Sequence, residues 1–178
     1  MKIFFFSLFL FFYSYTYAEE FKLEKIIDGL NKPWSLSFID DQNIVLTEKS
    51  GKLLYANLIN RNINEIKHNL SLINLGQGGL LDVLYKDKNI YISYSENRGN
   101  WETSTSVAKG SFNKKTIRFK NIFSAEPPID SGYHFGSRLV IKNKHLYITA
   151  GERGQGMIAQ DATKHPGSII RINLDGSI

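Results

Sequence analysis

The sequence contains no cysteine, which excludes disulfides and thiolate metal sites, so the fold has to hold by packing alone. It also has little helical periodicity after Ala18; alternating and β-branched or aromatic runs bounded by Gly, Asn, Asp and Lys replace it. Beyond the first residues there is no apolar run approaching the ~20 residues that a membrane-spanning helix needs. A clustered basic stripe is missing as well. The lysines fall in pairs, Lys86 and Lys88, Lys114 and Lys115, Lys142 and Lys144, each at a predicted turn. Such pairs read as solvated turns and guards of strand edges, and nucleic acid is not expected as a partner.

What is present begins with Met1–Ala18, MKIFFFSLFLFFYSYTYA, one lysine followed by an apolar run of about ten residues and a small or polar stretch ending in Ala18. This has the form of a secretory signal peptide cleaved after Ala18, with no stable membrane anchor afterwards and a periplasmic or secreted location. Its removal takes away one lysine and lowers the formal net charge of the 178-residue chain from +5 to +4. The remainder has the size of one average domain.

The chain repeats itself. Pro33–Gly51 (PWSLSFIDDQNIVLTEKSG), Gly79–Gly99 (GLLDVLYKDKNIYISYSENRG) and Gly136–Gly154 (GSRLVIKNKHLYITAGERG) are each a strand, a polar turn, a second strand, then Glu and Gly. The second strands begin near Ile44, Ile90 and Leu146, which gives repeat spacings of 46 and 56 residues. Third strands follow at Leu53–Leu58, Ser106–Phe112 and Ser168–Leu174, and fourth strands around Ile63–Lys67 and Thr116–Phe123. Four antiparallel strands in each repeat of about 50 residues predict an all-β fold, a β-propeller, with two complete blades and an incomplete third. A β-sandwich lacks this period. Closed propellers have about 4–8 blades, so the chain is expected to be the first part of a longer ring, with open edges that invite self-association.

In an up-and-down blade the connections into each first strand share one end of the disc with the loops between second and third strands. That end collects Asn74–Gly78, Glu126–Phe135, Glu48–Gly51, Ser95–Thr105 and Glu152–Gly167, the long, polar, glycine-rich segments in which function usually resides. His134 precedes an inner strand there, Gln77 sits at the equivalent position one repeat earlier, and Glu152 closes the neighbouring strand. Histidine near neutral pH serves as a general base when a second group orients its ring. Each feature is as readily structural when taken alone. A strand-end histidine is commonly just hydrogen-bonded, GQGG is commonly a tight turn, and the repeated Glu48, Glu96 and Glu152 read most simply as turn caps.

GQGGLLDV (Gly76–Val83), HFGSRLVI (His134–Ile141), LYITAGERG (Leu146–Gly154), AQD (Ala159–Asp161) and GSIIRINLDGSI (Gly167–Ile178) occur in that order. With KPWSLSFI and VLTEKSGKL near the start, they closely resemble the soluble pyrroloquinoline quinone (PQQ)-dependent aldose and glucose dehydrogenases, the glucose/sorbosone dehydrogenase family. The resemblance implies a six-bladed propeller with PQQ and Ca2+ on its loop-rich face, an aldose sugar as substrate, and an external quinone or cytochrome as electron acceptor. It makes His134 the general base that takes the anomeric hydroxyl proton while hydride passes from C1 to the quinone C5. It places Glu152 beside that base, Gln77 in the cofactor and substrate pocket, and Gln155 as a weaker sugar contact. Tyr133 stands where some members carry an acid. The calcium ligands and most PQQ contacts belong to later blades, so this chain alone is expected to be inactive or nearly so. Two other readings stay open: a non-catalytic propeller that binds carbohydrate or protein, with Tyr133 and Trp101 as stacking aromatics, and a lactonase-type hydrolase, which needs carboxylates converging on one metal.

Overall fold

Alternation along the strands sorts the side chains into faces, and three sheets result, antiparallel except for one short pairing. A computed structural model describes residues 21–178; the signal-peptide expectation therefore lies outside the described residues. The first sheet runs β1 (Pro33–Asp40), β2 (Asn43–Glu48), β3 (Leu53–Asn57), β4 (Ile63–His68) in sequence order. The second is β5 (Leu80–Lys86), β6 (Asn89–Gly99), β7 (Glu102–Ser111) and β9 (Lys120–Ser124), with the short β8 (Thr116–Ile117) between the last two in sequence. The third is β10 (Gly136–Lys142), β11 (His145–Ala150) and β12 (Ile169–Asn173), with a 3-10 turn at Gly156–Gln160 in the preceding loop. Among the described residues no helix is long and apolar enough to cross a membrane.

Two shared cores join the sheets. Val45, Leu53, Tyr55 and Ile66 of the first pack against Leu80, Val83, Ile90 and Ile92 of the second. Tyr91 and Val107 of the second pack against Leu139, Leu146, Ile148 and Ile172 of the third. The other face of the first sheet, Ile44, Leu46 and Leu54, is covered in part by Ile27 and Leu30. Beside them Leu36 and Phe38 are 53% and 60% exposed and line a groove of about 580 Å³.

A hydroxyl relay repeats with the sequence period. Thr47, Ser93 and Thr149 accept the backbone N–H of Ser35, Asp82 and Arg138 at 3.2, 2.9 and 2.9 Å, each at a bulge in the adjoining first strand. Thr47 and Ser93 then donate to the next sheet, to Leu81 O at 2.6 Å and Ser137 O at 2.7 Å. The hydroxyl thus satisfies the amide that the bulge removes from the ladder and links neighbouring sheets.

Two expected boundaries are corrected. Ser95–Thr105 is not a loop: β6 and β7 stay paired as far as Gly99↔Glu102. The connection is a two-residue turn, with Asn100 and Trp101 both at positive φ (49° and 66°), which suits the twist of a hairpin. The run looked like a loop because it is polar, yet Thr103, Ser104, Thr105 and Ser106 are at most 1% exposed. Their hydroxyls are satisfied inside, for example Ser104 to Ala125 O at 2.8 Å and Thr105 to Phe135 O at 2.7 Å. The expected fourth strand Thr116–Phe123 is divided. Thr116–Ile117 pairs in parallel with β4 of the first sheet, because Ile117 buries itself in the core between the two sheets; only Lys120–Ser124 completes the second.

Ser137 sits in the third bulge at φ +80°, fully buried, with no partner for its hydroxyl. Left-handed backbone and an unsatisfied buried hydroxyl each cost on the order of 1 kcal/mol or more, against about 0.5–1 kcal/mol for the added unfolded-state freedom of glycine. Ser137→Gly is therefore expected to stabilise the chain by about 1 kcal/mol. Urea unfolding checks this; a lowered midpoint would contradict it.

Candidate active site

The site forms where β5, β10 and β11 meet the connections at the loop-rich end. The Gly76–Gly79 turn closes with Gly78 N–H donating to Leu75 O at 2.7 Å. It abuts the loop before β10: Gln77 N–H donates to Gly132 O at 2.7 Å, and a Cβ on Gly76 would lie 2.4 Å from that same oxygen. From this turn the Gln77 side chain reaches across, and its Oε1 accepts the backbone N–H of His134 at 2.9 Å. Since an N–H needs an acceptor, the amide orientation is fixed, and the Gln77 NH2 group remains as a donor for a ligand.

His134 is held at φ +48°, a conformation uncommon for a side-chain-bearing residue. On its other side passes the end of β11, where a Cβ on Gly151 would lie 1.9 Å from His134 O. Only glycine permits that approach, and it brings the next residue, Glu152, against the histidine ring. Glu152 Oε1 meets His134 Nδ1 and also accepts Gly154 N–H at 3.1 Å. The side chains are 52% exposed for His134 and 28% for Glu152. A carboxylate can only accept, so Nδ1 carries the hydrogen, and Nε2 is the ring atom left to act as a base. The hydrogen bond from His134, supported by Gly154 N–H, holds the Glu152 carboxyl below the usual carboxylate range. The benefit of the ionised carboxylate is thus full above that range and is lost as pH falls through the lowered value.

His134, Gln77 and Glu152 are therefore brought into one hydrogen-bonded group. Gln155 is not joined to it: it is exposed in the following turn, its backbone N–H bonded to Glu152 O at 3.0 Å. Tyr133, 61% exposed, lies beside the His134 ring at 6.2 Å between centroids. The three repeated acids do different work, which corrects their reading as equivalent caps. Glu48 is buried and accepts Asn31 N–H at 2.7 Å. Glu96 accepts the hydroxyls of Ser106 and Ser124 at 2.8 and 2.6 Å. Only Glu152 meets a histidine ring in this way, and among the described residues no three His, Asp or Glu side chains converge.

One residue at the site was not legible in the sequence. Arg153, in the same turn as Glu152, is 2% exposed. Its Nε donates to Tyr133 O at 2.9 Å, Nη1 to Thr103 O at 3.0 Å, and Nη2 to Thr103 Oγ1 at 2.6 Å and to Ser131 O. The guanidinium lies over the Phe135 ring, 3.6 Å from its centroid. Burial pushes it down to about 10, so it is still a cation at neutral pH. An arginine in a Gly-Glu-Arg-Gly stretch reads as part of a solvated turn, and nothing in the sequence marks its burial.

The aldose sugar dehydrogenase YliI of Escherichia coli is 31% identical over 166 residues, covering 88% of this chain and 45% of that protein. Quinoprotein glucose dehydrogenase B of Acinetobacter calcoaceticus is 29% identical over 198 residues, covering 90% and 41%. The crystal structure of the soluble aldose sugar dehydrogenase from Escherichia coli in its apo form superposes with a TM-score of 0.82 at 30% identity, over 87% of this chain and 48% of that one. The PQQ-bound aldose sugar dehydrogenase from Streptomyces coelicolor, TM-score 0.76 at 21% identity over 86% and 48%, shares the fold. The chain thus spans about half the length of the relatives it matches. The family profile for glucose/sorbosone dehydrogenase matches residues 30–178, and the chain belongs to that family.

Proposed function

We propose that this chain carries the proton-accepting side of an exported quinoprotein sugar dehydrogenase. The observation that carries the reading is the His134–Glu152 pair, with the His134 backbone amide gripped by Gln77. His134 Nε2 takes the proton of the C1 hydroxyl of an aldose as C1 gives up its hydrogen as hydride, which leaves the lactone. Glu152 stays ionised, orients the ring through Nδ1–H and stabilises the imidazolium that forms. Tyr133, exposed beside the ring, offers an apolar face to a pyranose.

The donor set fits one side of a quinone: Gln77 supplies an NH2 donor for a carbonyl or hydroxyl oxygen, and His134 supplies an acceptor. PQQ with Ca2+, when bound, supplies the hydride acceptor that no side chain provides. On this reading the cationic and calcium-binding groups come from the part of the relatives' length that this chain does not cover. The apolar face around Leu36 and Phe38 supports further blades, since exposed patches of this kind commonly mark interfaces. So does Thr149, which occupies the place from which Thr47 and Ser93 donate to the next inner strand.

The test joins residues 19–178 in frame to the later half of the Escherichia coli relative and measures aldose-dependent dye reduction with PQQ and Ca2+. The fusion is expected to turn over, and the 178-residue chain alone to show little or none. A folded, PQQ-binding fusion that binds sugar without oxidising it would overturn the catalytic reading in favour of a carbohydrate-binding one.

A further inference from the structure

Arg153 presents an unusual combination. It is a buried cation, and among the described residues its hydrogen-bond partners are all uncharged oxygens, those of Thr103, Ser131 and Tyr133. Burying a charge without a counter-ion is costly, so the arrangement calls for a reason. The partners supply one. Ser131 O and Tyr133 O flank Gly132 in the loop whose next residue is His134, and Thr103 belongs to β7 of the second sheet. In the chain, Arg153 directly follows Glu152. Its left-handed backbone, φ +60°, lets the guanidinium turn into the protein while the neighbouring carboxylate meets the His134 ring. The planar fork, stacked on Phe135, therefore ties together the loop bearing His134, the turn bearing Glu152 and the wall formed by β7.

We propose that Arg153 is the positioning residue of this site, fixing the 131–134 loop against the Glu152 turn and so setting the contact between His134 and Glu152. The inference rests on the reading of that pair as base and orienting acid. Arg153 does not touch the reacting atoms; it acts through the two carbonyls it grips. Gln77 holds the His134 amide from one side, and Arg153 holds the preceding carbonyls from the other.

The experiment follows the Glu152 carboxyl by carbon NMR in the glutamate-labelled chain, with the signal assigned by Glu152→Gln. The carboxyl touches the His134 ring and the Gly154 amide, so its titration reports the pair directly. In the wild-type chain, His134→Gln is expected to raise the Glu152 midpoint. Arg153→Lys keeps the charge but cannot span both carbonyls, and in that background His134→Gln is expected to move the midpoint by only a minor fraction as much. An equal His134 effect in both backgrounds would overturn the positioning role and leave the pair standing. No His134 effect in the wild-type chain would overturn the pair itself and this inference with it. If Arg153→Lys does not fold, Thr103→Val is the second probe. It removes the hydroxyl that Nη2 donates to at 2.6 Å while keeping the charge. A partial loss of the His134 effect is then expected, and an undiminished one counts against the proposal.

Discussion

Replacing His134 by alanine in the PQQ-loaded fusion is expected to lower kcat by about 100- to 10,000-fold, the usual contribution of a positioned general base, with KM changing far less. Half of the His134 side chain is exposed, so its removal leaves no large cavity, and the GQGG turn and Glu152 loop retain their backbone bonds. The loss therefore falls on the chemical step and not on folding. Glu152→Gln tests the other half of the pair. A glutamine can still touch Nδ1 but carries no charge for the imidazolium, so kcat should fall by less than for His134→Ala. Unchanged kcat in a folded, PQQ-binding His134→Ala fusion would remove His134 from the reaction.

The repeat was legible because each period carries the same alternation and the same closing Glu-Gly. Thr47, Ser93 and Thr149 fall at the expected intervals and do equivalent work in the fold. The meeting of His134 with Glu152 was legible for the same reason, since strand order places the end of β11 beside the start of β10. What stayed hidden were polar groups satisfied inside. The segment Ser95–Thr105 has a loop's composition, yet its hydroxyls replace apolar contacts as a buried layer beneath the site. The three glutamates occupy equivalent sequence positions, but their partners differ: Asn31 for Glu48, Ser106 and Ser124 for Glu96, and His134 for Glu152. Arg153 was hidden most completely, because three of its four hydrogen bonds go to backbone carbonyls, which no sequence pattern marks. Ile117 escaped for a different reason. Its strand tendency was apparent, but the first sheet competes for it, and burial between two sheets decides the pairing.

Replacing Asp82 should carry a large stability effect. The residue is 5% exposed and stands in β5 where all three sheets approach one another. Ser35 Oγ of the first sheet donates to its Oδ1 at 2.5 Å, Leu139 N–H of the third donates to Oδ2 at 2.7 Å, and Arg138 Nη1 donates to Oδ1 at 3.2 Å. Arg138 is 64% exposed at its side chain, so solvent screens that pair and it contributes little. The weight lies with Leu139 N–H, a buried donor that the edge strand β10 directs at the second sheet, and with the Ser35 hydroxyl. Asp82→Ala leaves both without their acceptor, at about 1–3 kcal/mol each, so a total near 3 kcal/mol is expected. For a chain of this size that lowers Tm by about 6–12 °C. Asp82→Asn retains one oxygen acceptor but sets an NH2 group against a donor, and should cost roughly half as much. Arg138→Ala should stay within about 0.5 kcal/mol of wild type. Urea midpoints for the three variants separate the contributions. If Arg138→Ala destabilised as much as Asp82→Ala, the ion pair and not the Leu139 amide would be what joins the sheets. Because Leu139 belongs to the strand that His134 leads into, loosening it should also broaden the His134 ring signals before the chain unfolds.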